Sequence, residues 1–283
     1  MIAKTEKLSP ALYLVATPIG NARDITLRAL DVLNSADVLV SEDTRTLRKL
    51  MGLHGLSVGD RPLLAYHDHS NDAARSKVIG HILQGKSVAY ASEAGMPLIA
   101  DPGYRLVQDV IENGCEIVCV PGATAALSAL SISGFATDNF TFAGFLPNSS
   151  AARKKALAQF ATAPGTLIFY ESPKRVEKFL ADAIEVLGGE CRAAICRELT
   201  KKFEDAVRGT LTELLTNPGT LKGEVVIVIG PREEKAQFDE ADLDRALEEA
   251  LMTMKTKEAA AFVAQAFGLK KRDLYQRALS LSK

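Results

Sequence analysis

Leu12-Tyr-Leu-Val-Ala-Thr-Pro-Ile-Gly-Asn21 sets the fold. An aliphatic run too short for a helix passes straight into a Pro/Gly loop, which is how a buried strand ends before a crossover. The crossover helix follows as Leu27 to Leu33, and the alternation continues through Val38 to Val40, Leu47 to Met51 and Leu63 to Tyr66. A polar helix ending near Leu83, Val88 to Ala91, a helix from Tyr104 to Glu112, and Ile117 to Val120 complete it. Five short strands joined by helices imply a largely parallel sheet covered on both faces. We assign this α/β domain to residues 1–136. Ligands of such sheets gather beyond the carboxyl ends of the strands. There the sequence places three Pro/Gly loops: Thr17 to Asn21, Ser92 to Pro97 and Pro121 to Thr124.

The rhythm restarts after Thr137, with Phe140 to Gly144, a basic helix near Arg153 to Phe160, Leu167 to Glu171 and a helix near Arg175 to Leu187. Ala193 to Arg197, Val207 to Thr210 and Val225 to Ile229 then read as strands. This predicts a second α/β domain over residues 137–231, with Ser131 to Asp138 as the junction and a ligand cleft between the two domains. Charge segregates beyond it: residues 232–250 carry eight acids and three bases, residues 255–283 seven bases and two acids. Thr256 to Phe267 and Lys270 to Leu279, around Gly268-Leu269, have helix-turn-helix spacing. Residues 232–283 are therefore expected to form a small helical tail, either a nucleic-acid contact or a structural hairpin with a solvated basic face.

The 283 residues are 47% hydrophobic and 24% charged with a net charge of -1, a globular profile without a global basic field. No apolar run approaches the roughly 20 residues of a membrane span, and the first residues lack a signal-peptide core, so the chain is expected in the cytoplasm and off the membrane. Cys115 borders and Cys119 falls in the alternating stretch Glu116-Ile-Val-Cys-Val120, which reads as strand, so both read as buried thiols; Cys191 and Cys196 are five apart, and neither pair has a nearby His. No metal or disulfide is expected.

The loop after the first strand has one glycine, so the dinucleotide fingerprint G-x-G-x-x-G is missing, as is the Walker pattern. A nucleotide-like ligand without phosphates fits better. S-adenosylmethionine is one: its adenosine takes backbone and apolar contacts and its amino-acid end takes donors at a helix start.

Thr17-Pro-Ile-Gly-Asn21 with Asp24-Ile-Thr-Leu-Arg28, Ser41-Glu-Asp-Thr-Arg45, Ser92-Glu-Ala-Gly-Met-Pro97, Asp101-Pro-Gly103 and Val120-Pro-Gly-Ala-Thr124 carry a family resemblance. Gly144-Phe-Leu-Pro147, Phe169-Tyr-Glu-Ser-Pro-Lys-Arg175, Cys196-Arg-Glu-Leu-Thr-Lys-Lys202 and Gly223-Glu-Val-Val-Ile-Val-Ile-Gly230 extend it over nearly the whole chain. The sequence resembles the ribosomal RNA small subunit methyltransferase I family. The resemblance implies the tetrapyrrole-methylase (class III methyltransferase) fold, two α/β domains with S-adenosylmethionine between them, and a homodimer. It also implies methyl transfer to the 2'-hydroxyl of a cytidine in the decoding centre of 16S rRNA, on the small ribosomal subunit. By motif position it places the cofactor against Ser92, Glu93, Ala94, Gly95, Pro97, Asp101, Pro102, Pro121, Gly122, Ala123 and Thr124, with Tyr170, Gly223 and Glu224 from the second domain. One departure is Leu98-Ile99, where many members carry a smaller first residue.

A 2'-hydroxyl is a poor acid, so a general base or nearby cations should assist. The catalytic candidates are His67, Glu42 and Asp101, with Glu93 behind them. His67 has the suitable unperturbed pKa, but with His69 it equally reads as a polar helix start. Glu42-Asp43-Thr44-Arg45 equally reads as an ion pair capping a helix. Phosphate contacts are expected from Arg23, Arg28, Arg45 and Arg48 and from Lys271 and Arg272 in the tail, with Arg153-Lys154-Lys155, Lys174-Arg175 and Lys201-Lys202 also available. The absence of Trp and only 6% aromatic residues argue for recognition of folded RNA rather than open strands. Two alternatives stay open: a small-molecule methyltransferase of the same fold acting on a tetrapyrrole-type macrocycle, and a non-catalytic metabolite sensor that binds nucleic acid through its tail.

Overall fold

The computed structural model describes residues 3–5, 7–67, 72–231, 240–267 and 271–281. Met1–Pro231 form one compact unit and Arg232–Lys283 another.

The first unit begins with β1 (Leu12–Val15), α1 (Leu27–Ser35), β2 (Val38–Ser41), α2 (Thr44–Leu53) and β3 (Leu63–Ala65). It continues with α3 (Asp72–Leu83), β4 (Val88–Ala91), α4 (Tyr104–Glu112), β5 (Ile117–Val120) and α5 (Ala125–Ser133). The strands form an all-parallel sheet in the order β3-β2-β4-β1-β5. Leu12 sits between Val88 and Ile117, and β1, β2 and β4 are apolar on both faces because helices cover both. Each fully buried Leu or Val there contributes about 1.5–3 kcal/mol. The edge strands are less enclosed, and this corrects the expectation of buried thiols: Cys119 on β5 is exposed and Cys115 half-buried.

The second sheet follows as β6 (Phe140–Phe145), α6 (Ser150–Ala158), β7 (Thr166–Glu171) and α7 (Val176–Leu187). Then come β8 (Arg192–Arg197), β9 (Asp205–Thr210), α8 (Leu211–Thr216) and β10 (Val225–Ile229). Its order is β6-β7-β10-β8-β9, with β6 parallel to β7 and the remaining pairs antiparallel. Helices α6, α7 and α8 cover one face, and α5 packs on the other.

Helix α5 takes in Ser131 to Ser133 of the expected junction and ends at Gly134, whose φ of 82° closes the helix. Its serines look like loop residues, but Ser128 Oγ donates to Thr124 O at 2.8 Å and Ser131 Oγ to Leu127 O at 2.8 Å, which satisfies them within the helix. Arg153 also differs from expectation. It is 2% exposed, with Nε donating to Asp182 Oδ2 at 2.7 Å, so it is a buried structural cation.

In the second unit α9 (Glu240–Leu251), α10 (Thr256–Phe267) and α11 (Lys271–Leu281) enclose Leu247, Ala259, Ala260, Val263, Leu274 and Ala278. Arg277 Nη2 on α11 donates to Asp244 Oδ2 on α9 at 3.0 Å. The acidic run thus supplies a third helix that the charge pattern concealed. The turn at Gly268-Leu269 lies outside the described residues. Among the described residues no helix is long and apolar enough to cross a membrane.

Candidate active site

The loops after β1 and β4 are joined by backbone. Thr17 N donates to Gly95 O and Gly95 N to Thr17 O, both at 3.0 Å. Ser92, buried, donates its hydroxyl to Gly95 O, and Thr17 Oγ1 reaches Ser92 O at 3.2 Å. Gly95 has a φ of 81°, and a Cβ there would lie 3.3 Å from Ile19 Cγ2 and 3.4 Å from Ala123 O, so all three loops meet at this residue. At Gly122 a Cβ would stand 2.8 Å from Ala16 Cβ, which only glycine avoids. Beyond Gly95 the chain holds Leu98 and Ala100 at φ of 70° and 58°, left-handed values disfavoured for residues with a Cβ. Such strain concentrates at functional sites.

Between these loops and the strand ends of the second sheet lies a cavity of about 700 Å³. From the first sheet it is lined by Pro18 to Gly20, Thr46, Glu93 to Met96, Ile99 to Asp101 and Thr124-Ala125. From the second it is lined by Phe145, Tyr170 to Pro173, Leu199, Lys201 and Gly223 to Val226. Of the residues expected around the cofactor, Glu93, Ala94, Gly95, Asp101, Thr124, Tyr170, Gly223 and Glu224 therefore face it. Ser92, Pro97, Pro102, Pro121, Gly122 and Ala123 do not line it. Ser92 and Gly122 hold the loops in register, and Pro102 O accepts the buried Tyr90 hydroxyl at 2.8 Å.

Asp101 enters from the first sheet with its Oδ2 shielded from solvent. Tyr170 enters from the second. Burial raises its pKa, the hydrogen bond from Ala126 opposes this, and the Asp101 charge adds a smaller raising effect. Lys201 Nζ bridges Glu198 Oε1 and Glu224 Oε2, each at 3.0 Å. Burial works against its charge, but the two carboxylates outweigh it and raise its pKa. Glu171 is fully enclosed, and burial raises its carboxyl pKa against the lowering effects of the Ser172 N–H and Arg175.

His67 is exposed after β3 and Glu42 half-buried after β2; neither lines the cavity. His69 lies outside the described residues. Asp43 caps α2 by accepting Arg45 N at 2.8 Å, and hydrogen bonds from Arg45 hold its pKa down at about 2. Arg23, Arg28, Arg45 and Arg48 are exposed, with Arg28 Nη1 bonded to Cys119 O at 3.1 Å, and Lys271 and Arg272 are exposed at the start of α11. Phe145 and Glu171 were not in the expected site, and Lys201 was expected only as an available phosphate contact; the signal that could have brought all three to the cavity is that each falls in a motif carrying the family resemblance. Among the described residues no group of three or more His, Cys, Asp or Glu is placed to hold a metal.

Residues 11–215 match the family profile described as Tetrapyrrole (Corrin/Porphyrin) Methylases, and residues 237–282 match the RsmI C-terminal HTH domain. The chain is 46% identical to the Ribosomal RNA small subunit methyltransferase I of Mesorhizobium japonicum, over 99% of this chain and 97% of that protein. It is 39% identical to the protein of the same name from Halalkalibacterium halodurans, over 93% of each. Among solved structures, the cobalt precorrin-4 methyltransferase superimposes with a TM-score of 0.58 at 19% identity, over 78% of this chain and 95% of that one. Uroporphyrin-III C-methyltransferase from Thermus thermophilus, complexed with S-adenosyl homocysteine, gives 0.55 at 19% identity, over 78% and 97%. These two share the fold. With near-complete coverage at such identity, the chain belongs to the ribosomal RNA small subunit methyltransferase I family, built on the tetrapyrrole-methylase fold with a C-terminal helix-turn-helix domain.

Proposed function

We propose that this S-adenosylmethionine-dependent rRNA methyltransferase methylates the 2'-hydroxyl of a cytidine ribose in the decoding centre of 16S rRNA. Its substrate would be the small ribosomal subunit, in the cytoplasm, with the enzyme a homodimer. The observation that carries the reading is the cavity: one wall is built from tightly joined backbone loops, the other from strand ends that bring an aromatic pair and a cation.

The cavity suits the methyl donor. Its volume falls within the roughly 300–1,000 Å³ of small-ligand pockets. The glycine-dependent approach at Gly95 leaves backbone rather than side chain against the ligand. The start of α5 at Thr124-Ala125 presents backbone donors, and the Asp101 carboxylate can take an ammonium or a hydroxyl proton. Bound there, S-adenosylmethionine supplies a sulfonium methyl to an oxygen nucleophile, the C–S electron pair leaving with sulfur. The protein's own task is to align the ribose oxygen, exclude water and accept the proton. Asp101 is assigned as proton acceptor because, of His67, Glu42 and Asp101, only it lines the cavity. His67 and Glu42 are left with a role in seating RNA at the same sheet edge, alongside Arg23, Arg28, Arg45 and Arg48.

The test is transfer from labelled S-adenosylmethionine to purified small subunits and to protein-free rRNA, with mapping of the product. A 2'-O-methylated decoding-centre cytidine is expected. Transfer to a tetrapyrrole with none to RNA would overturn the reading, and sedimentation of the same sample tests the dimer.

A further inference from the structure

Strand β6 carries a bulge. Phe142 pairs with Ile168, but Gly144 pairs with Phe169 and Phe145 with Tyr170, so the residue between is left over. Gly144 turns the chain at a φ of 62°. In an unbroken strand Phe142 and Phe145 would point to opposite faces. The bulge brings both onto the Tyr170 ring, edge-on, with centroid separations of 4.9 and 5.5 Å. Bulges beside active sites re-aim side chains in this way.

The re-aimed ring is not buried by the move. Phe145 lines the cavity and remains 58% exposed. The backbone that follows is clamped: Leu146 O accepts Arg175 Nη2 at 2.7 Å, and Asn148 O accepts Arg153 Nη1 at 3.1 Å. Those arginines are themselves fixed by Glu171 at 3.0 Å and Asp182 at 2.6 Å. Two guanidinium groups thus hold an apolar ring at the water-facing side of the cavity. Ile99, from the first sheet, lines the same cavity and is 46% exposed. A flat, partly apolar group is what two such side chains can cover.

We propose that Phe145 is the platform on which the target nucleobase stacks once its nucleotide turns out of the rRNA, with Ile99 as a second apolar contact. This rests on the rRNA reading above. Seating one ribose of folded RNA inside a cavity, rather than at the minor-groove surface where 2'-hydroxyls are displayed, turns its nucleotide out of the stack, and stacking on aromatic and apolar side chains repays the lost base stacking. The donor's adenine is the competing occupant. Phe145 is assigned to the substrate because its ring is solvent-facing, whereas Gly95, Val225 and Val226 of the same cavity are buried.

The test compares wild type, Phe145→Ala and Phe145→Trp on small subunits, and on an rRNA fragment with a fluorescent cytosine analogue at the mapped position. Phe145→Ala should lower kcat/KM for RNA by about 5- to 150-fold, the range of a lost base stack. Its calorimetric Kd for S-adenosylmethionine and its melting temperature should stay at wild-type values, and Phe145→Trp should recover most of the RNA activity. The fluorescence change on binding should be present with wild type and absent with Phe145→Ala. Unchanged RNA kinetics in Phe145→Ala, or weaker cofactor binding with RNA KM unmoved, would overturn the stacking role alone. No methyl transfer to RNA by wild type would overturn the substrate reading and this role with it.

Discussion

Ala126 donates its backbone N–H to the Tyr170 hydroxyl at 3.1 Å, so a side chain from the end of β7 closes the first turn of α5. The bond ties the helix that follows the first sheet to a strand of the second, at the cavity wall. Tyr170→Phe leaves the Ala126 N–H without this acceptor while keeping the ring against Phe142 and Phe145. We expect a loss of about 1–2 kcal/mol in urea unfolding. Calorimetry should also show weaker S-adenosylmethionine binding; unchanged values of both would show that the bond does not shape the wall.

Asp101 is the carboxylate whose removal should matter most to chemistry. Asp101→Asn keeps the size and removes the proton acceptor, so kcat should fall by roughly 10²- to 10⁴-fold, the usual contribution of a general base. His67→Asn and Glu42→Gln lie outside the cavity lining and should alter KM for RNA more than kcat. A large kcat loss in His67→Asn with Asp101→Asn active would transfer the role to the histidine.

Asp37 makes stability depend on pH. Its Oδ2 accepts Ser87 N at 2.8 Å and Ser87 Oγ at 2.7 Å, joining the starts of β2 and β4, and these bonds lower its pKa. A carboxylate with a depressed folded-state pKa stabilises the fold above its unfolded value and loses that contribution as pH falls through the folded one. Asp37→Asn should therefore cost about 1 kcal/mol at neutral pH, discounted for solvent because Asp37 is exposed even though Ser87 is buried. The gap to wild type should close as pH falls from the ordinary aspartate pKa of about 3.9 through the lower folded-state value. A gap constant with pH in denaturation curves would contradict this.

What the sequence discloses depends on how local each cause is. β4 and α4 stand where they were read, because a continuous apolar run and a 3.6-residue period are visible within their own windows. Arg153 misleads because its partner Asp182 is 29 residues away, and a basic run looks solvated until that carboxylate folds over it. Phe145 was hidden for a related reason: alternation predicts its face wrongly unless the bulge between Phe142 and Gly144 is known. The three Pro/Gly loops of the first sheet were legible as one edge, since parallel strands return every loop to the same side. The second sheet is mostly antiparallel, and its contributors Tyr170, Lys201 and Glu224 converge from strand ends pointing different ways.

Arg153 and Asp182 form an ion pair with side-chain exposures of 3% and 9%. Removing one member strips a buried charge of its main partner, so Arg153→Met or Asp182→Leu alone should cost about 3–5 kcal/mol. The double variant should recover much of the loss. Denaturant midpoints measure all three, and additive single losses would show that the pair is not coupled.

Residues 1–231 form a compact unit that contains the whole lining of the cavity, and the exposed Lys271 and Arg272 belong to the other unit. A chain ending after Pro231 should therefore fold and bind S-adenosylmethionine with unchanged affinity. Its RNA affinity should fall and become less sensitive to salt, because each cation that neutralises a phosphate adds about 0.7–0.9 to the slope of log K against log salt. Lys271→Ala with Arg272→Ala in the full chain should reproduce a slope change of roughly 1–2 without altering cofactor binding. Filter-binding titrations at two salt concentrations distinguish the outcomes. Parallel curves for full-length and shortened protein would mean the tail's basic face is a solvated surface, and would leave the phosphate contacts to Arg23, Arg28, Arg45 and Arg48.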